Sequence, residues 1–193
     1  MTISCGTVWG QLRTSHLYAV FKGPYVYFGE TGHVPPVRWK GHLTSDTDFI
    51  GKLRLVDSDA VLDDSPIFFV GIHIGIADSE PGPRRKIARR AIEAELHRRF
   101  SLDPSPVTPA TELLSTPPAV PVRHKFEFDK VSIAKEVYGI IAQEYQKWLR
   151  KISGANSYVD SSTIYPKNLT KSTFRHSNFR SIAIDLNFDA NLK

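Results

Sequence analysis

The run IFFVGIHIGIA, Ile67 to Ala77, is apolar, β-branched and aromatic almost throughout, and it is bounded by Pro66 and by DSEPGP. Eleven such residues between breakers predict the strongest strand in the chain. In the next stretch, RRKIARRAIEAELHRRF, Ala88, Ile92, Leu96 and Phe100 recur every four residues, with Pro83 near the start. That spacing predicts an amphipathic helix with one apolar stripe.

Upstream, LYAVF and YVYFG are two short strand patterns separated by Lys22-Gly23-Pro24, which predicts a hairpin. Pro35-Pro36 then stands where a first helical turn tolerates proline, so VRWKGHL reads as a short helix stopping near the polar run TSDTD. On it Arg38 and His42, four apart, share a face. The acidic stretch DSDAVLDDSP reads as turns.

Residues 101–122 hold six prolines and almost no charge, which predicts an extended surface connection. Beyond it, Ala134, Val137, Tyr138, Ile141, Tyr145, Trp148 and Ile152 fall on one face of a long helix, with Asp129 as its N-cap. Near the end, SIAIDLNF alternates Ile182, Ile184, Leu186 and Phe188 with polar or small residues, a strand with one apolar face. The expected fold is α+β: a small antiparallel β-sheet flanked by helices, with a helical C-terminal extension ending in a strand. Three regions are expected: a domain over 1–105, a connection over 106–122, and a helix and tail over 123–193.

At 193 residues and 41% hydrophobic content the chain can build a packed core. It carries 25 basic and 20 acidic side chains, net +5, which fits a polyanionic partner without requiring one. The lone Cys5 excludes an internal disulfide and Cys-rich zinc scaffolds, in keeping with an intracellular, cytoplasmic setting. No stretch approaches a membrane span, and residues 1–20 lack the charged start and apolar core of an export signal.

Tyr18, the YFG of residues 27–29, Arg38, His42 and Glu93 fall in that order along hairpin, short helix, strand and long helix. The arrangement resembles the GIY-YIG nuclease superfamily, and a stand-alone chain of this size is closest in kind to its type II restriction endonucleases. HLY stands at the first motif and YFG at the second, with Gly29 setting the register so that Tyr27, not Tyr25, matches the second tyrosine. Thr31 fits the small polar residue that follows, Arg38 the helix arginine, His42 the arginine-plus-four histidine, and Glu93 the glutamate of EAEL. The resemblance covers about the first hundred residues. His16 stands where the family has glycine, and no asparagine follows the helix; Ser105 or Asn156 could stand in for it.

The resemblance implies a divalent-metal-dependent endonuclease acting on DNA, with Tyr18, Tyr27, Arg38, His42 and Glu93 catalytic and Glu93 holding Mg²⁺ or Mn²⁺. Cleaving a phosphodiester requires a water nucleophile, charge neutralisation and help to the leaving oxygen. A single carboxylate suits a hard cation that keeps most of its waters, and Arg38 suits the scissile phosphate through its planar fork. Tyr18 would orient or deprotonate the water if Arg38 and Lys40 lowered its pKa, and Tyr27 and His42 would bond water or phosphate. Tyr25 is left to packing.

Lys40, Arg84, Arg85, Lys86, Arg89 and Arg90, with Arg98 and Arg99, would form a phosphate rail, and Lys171, Arg175 and Arg180 of the aromatic-basic tail would reach DNA. Taken singly, each of these residues also fits a solvated face, and the tyrosines fit cross-strand packing. His73 reads as structural and His97 as a surface residue or outside metal ligand. Cutting both strands of a palindrome calls for a homodimer. The alternatives are a nonspecific nuclease, or a non-cleaving nucleic-acid-binding or assembly module on the same fold.

Overall fold

The computed structural model describes residues 14–120 and 124–154, with two short strand pieces at 2–3 and 163–164. Its centre is a hairpin of β2 (His16–Lys22) and β3 (Tyr25–Thr31), preceded by β1 (Thr2–Ile3). Gly23 turns the hairpin with φ 53°, a left-handed conformation that glycine adopts without a Cβ penalty. β4 (Ile67–His73) pairs antiparallel with the other side of β2, leaving β2 central. The strand is four residues shorter than the apolar run, because Ile74 N–H donates to Ser15 O and Gly75–Asp78 coils into a short helix, α4.

The two faces of the sheet are covered by different helices. Tyr18, Val20, Tyr25, Ile67 and Phe69 pack against α1 (Pro35–Thr44) and α2 (Phe49–Val56). Leu17, Ala19, Phe21, Val26, Phe28, Phe68 and Val70 pack against α5 (Gly82–Leu102) and α6 (Lys130–Gly154). Side chains alternate along each strand, so a strand buried on both faces must be apolar throughout, as Ile67–Ile72 is. α3 (Ser58–Leu62) forms within the acidic stretch expected to be turns, and α2 precedes it in residues for which the sequence suggested no element. Phe49, Ile50 and Leu53 place an apolar edge on the sheet, and that tertiary contact sustains an eight-residue helix.

The proline-rich segment departs from its predicted role. A 3-10 turn at Ser105–Val107 buries Val107, Ala110 is buried beside it, and β5 (Glu112–Leu113) adds to β3 in parallel. The sheet is therefore mixed rather than purely antiparallel. Ser115 is buried with its Oγ accepting Phe28 N–H at 2.9 Å, which caps an edge that would otherwise stand unpaired. Nor does the segment separate two cores: Tyr145 of α6 stacks on Phe21 at 4.0 Å and Trp148 stacks on Phe68 at 5.0 Å. The expected boundary at 106–122 is crossed by one hydrophobic cluster. Asp129 caps α6 as expected, accepting from Val131 N–H and Ser132 Oγ.

A further short piece, β6 (Thr163–Ile164), pairs with Ile67–Phe68. The SIAIDLNF strand, Asn156, Lys171, Arg175 and Arg180 lie outside the described residues. Among the described residues, no helix is long and apolar enough to cross a membrane.

Candidate active site

Tyr18 sits at the middle of the central strand, opposite Gly29 on β3 and Gly71 on β4. Each glycine makes room for something. A Cβ on Gly29 would collide with the Tyr18 phenol, and one on Gly71 would stand 2.6 Å from Pro35 Cγ. The first gap lets the ring lie across β3, and the second lets the start of α1 seat directly on the sheet.

That seating carries Arg38 and His42 to the Tyr18 hydroxyl. His42 Nε2 is 2.8 Å from it, and Arg38 Nε donates to it at 3.3 Å. The N–H of Phe49, at the start of α2, donates to His42 Nδ1 at 3.3 Å. Because Nδ1 accepts, the neutral imidazole carries its proton on Nε2 and donates it to Tyr18. Burial, with Arg38 next, pushes the His42 pKa down to about 4, so this neutral form holds at neutral pH. His42 is fully buried, as is the Tyr18 ring beside it. Both of its ring nitrogens are engaged inside the protein, Nε2 with the Tyr18 hydroxyl and Nδ1 with Phe49 N–H.

Burial dominates Tyr18 as well, raising its pKa, while Arg38 pulls the other way and falls short. The expectation that neighbouring cations would lower it is therefore reversed: Lys40 is exposed on α1, and the resting group is a phenol. Tyr27 is half-buried, edge-on to His42 at 4.7 Å, with its pKa raised by burial and then by Asp48. Arg38 is bound end-on by Asp48, with Nη2 at 2.7 Å and Nη1 at 3.1 Å from the two carboxylate oxygens. Burial weakens the Arg38 charge, but Tyr18 and Asp48 outweigh it and raise its pKa.

Glu93 comes from α5 and is nearly buried, yet its charge acts on both Tyr18 and Tyr27. Burial raises its pKa, against His97. His97, expected at the surface, is instead buried one turn further on, with Nε2 3.8 Å from Glu93 Oε1 and 3.4 Å from Ser115 Oγ. Tyr18, Tyr27, Arg38 and His42 are joined by hydrogen bonds and a ring contact, whereas Glu93 belongs to the helix that packs on the other face of the sheet and has His97 as its neighbour. Ser105 joins neither: it is exposed on its 3-10 turn, and its hydroxyl donates to Asp103.

The basic rail divides. Arg89 leaves it altogether, being buried and paired through Nε with Glu30 at 2.6 Å. Arg84 donates to Lys125 O and Arg85 to Glu80 O, so both fasten local backbone. Lys86 is exposed, and half-buried Arg90 lies close enough to Glu93 to pull its pKa down.

Two residues of the site went unread in the sequence, Asp48 and Lys52, whose Nζ stands 5.3 Å from the Tyr27 ring centre. The available signal was an acid four residues before a lysine, ahead of the apolar Phe49-Ile50 pair. Tyr25 packs as expected and donates to Asp57 Oδ2, and His73 pairs with Asp78 at 2.8 Å. No protein-family model, curated protein or solved structure matches the chain.

Proposed function

We propose that the chain is a divalent-metal-dependent endonuclease that hydrolyses DNA phosphodiester bonds, of the type II restriction kind. The observation that carries this reading is the Tyr18 hydroxyl, approached by both His42 Nε2 and Arg38 Nε, with Tyr27 edge-on to the same imidazole. Among the described residues no group of three or more His, Cys, Asp or Glu gathers as a metal cage. One carboxylate fits only a hard cation that keeps most of its waters, which is the behaviour of Mg²⁺. Bound beside Glu93, Mg²⁺ or Mn²⁺ would acidify a coordinated water and offset phosphate charge.

The chain's own residues supply the rest. Tyr18, a phenol whose oxygen already accepts from two donors, has its own proton left to align the attacking water. Arg38 and Lys52 bring positive charge to the phosphate, while neutral His42 holds Tyr18 in place. Lys40, Lys86 and Arg90 contact neighbouring phosphates. Two copies cutting opposite strands would give a double-strand break.

The test is plasmid digestion with Mg²⁺ or Mn²⁺. Discrete linear products are expected, abolished by chelator and reduced at least 100-fold by Glu93→Ala. A smear would indicate a nonspecific nuclease. Inertness with every metal would favour a non-cleaving binding module, a reading to which the buried phenol and the already paired Arg38 lend some support.

A further inference from the structure

Asp48 immediately precedes the first turn of α2, where a short acid ordinarily accepts a hydrogen bond from its own helix. Its side chain makes no such cap. Both carboxylate oxygens turn instead to the end of the Arg38 guanidinium. The next backbone N–H, of Phe49, goes to His42 Nδ1. Two consecutive positions at the start of α2 therefore hold two α1 side chains four apart, and those two converge on the Tyr18 hydroxyl.

Arg38 is a long side chain, 39% exposed, on the outer part of α1, and Asp48 is 13% exposed. Left alone, such an arginine samples many rotamers. The end-on pair fixes the guanidinium plane, and a fixed plane aims Nε at Tyr18. The carboxylate also balances charge where Lys52 and Arg38 crowd a neutral His42.

We propose that Asp48 is a positioning residue for phosphodiester cleavage: it locks Arg38 into the orientation that serves Tyr18 and the phosphate together. The inference rests on the nuclease reading above. Asp48 touches neither substrate nor metal; it acts through Arg38. A carboxylate that merely competed with DNA for Arg38 would have the opposite effect on rate, which makes the two roles separable.

The experiment compares wild type, Asp48→Asn and Asp48→Ser. Both replacements are good N-cap residues, so α2 keeps its start while the charge, and in Ser the end-on acceptor, is lost. Two quantities are read: the ¹⁵N–¹H signal of Arg38 Nε in the free protein, and kcat and KM on plasmid DNA with Mg²⁺. The Arg38 signal should be distinct and slowly exchanging in wild type, weaker in Asn and averaged with the exposed arginines in Ser. kcat should fall about 10- to 100-fold in the same order, since small misplacements of a catalytic group cost that much. KM should stay within about threefold, a split that loss of simple DNA affinity would not give. An unchanged Arg38 signal, an unchanged kcat or a faster variant would each overturn the proposal. A wild type inert on DNA would overturn the nuclease reading and this role with it, whereas an active wild type matched by Asp48→Ser overturns this role alone.

Discussion

A tyrosine flanked by glycine on both neighbouring strands is a packing solution with a chemical consequence. Tyr18 can bring its hydroxyl to His42 and Arg38 because its ring lies where a Gly29 side chain would be. Gly29→Ala should therefore destabilise the protein by about 1–3 kcal/mol, the usual cost of overpacking. Tyr18→Ala removes the obstruction, so the double variant should lose less than the sum of the singles, and urea unfolding of the four proteins measures the coupling. Additive losses would mean that the ring and the glycine do not share that space. Tyr18→Phe asks a different question, since it keeps the ring and strips the acceptor from His42 Nε2–H. About 1–3 kcal/mol should be lost there, with cleavage suppressed far more than stability. At this scale the sequence was informative where spacing decides: Arg38 and His42, four apart, lie on one face of α1 and both reach the Tyr18 hydroxyl. It could not disclose that His42 is buried behind Tyr18, because a helix face names neighbours along the helix and not what covers it.

Elements with long, regular patterns were legible, and those that depend on a distant partner were not. α5 and α6 follow their apolar stripes over many turns, so Phe100 and Tyr145 are buried where the period puts them. α2 has eight residues, and its apolar Phe49, Ile50 and Leu53 are followed by equally apolar but exposed Leu55 and Val56, so no period emerges. The proline-rich stretch misled for a related reason: composition reports that a segment is neither helix nor strand, not that it lies loose. Ser115 and Val107 show it packed along β3 and α6. A fragment ending at residue 105 should consequently fail to fold, because removing α6 uncovers Phe21 and Phe68. The intact chain should resist brief proteolysis between residues 104 and 116; a soluble, cooperatively melting 1–105 fragment would restore the two-domain reading. Ser115→Ala should cost about 1–3 kcal/mol by orphaning the buried Phe28 N–H.

At the scale of the whole molecule, burial lowers the pKa of two histidines among the described residues. His16 lies at the start of the central strand among His73, Asp78 and Arg89, and burial lowers its pKa to about 4. His42 lies among Arg38, Asp48 and Lys52 with its pKa lowered to the same level. Unfolded, both would titrate near 6.5. Above that pH neither state binds these protons, and stability is flat with respect to them. As pH falls from about 6.5 toward 4 the unfolded chain takes up two protons that the folded protein refuses, so stability drops by up to about 1.4 kcal/mol per pH unit for each. Glu93 opposes part of this, since its raised pKa lets the folded state hold a proton the unfolded chain has released. The lowered carboxylates Asp63 and Asp78 add their loss only at more acid pH. Two histidine protons against one carboxyl proton leave a net loss, and urea unfolding at pH 7.5, 6.5, 5.5 and 4.5 should show a plateau that breaks near 6.5. Histidine ring resonances of the folded protein should show two midpoints near pH 4. A plateau running unbroken to pH 4.5, or all ring midpoints near 6.5, would mean that one or both histidines can take a proton in place, and that His42 need not present a fixed Nε2–H to Tyr18.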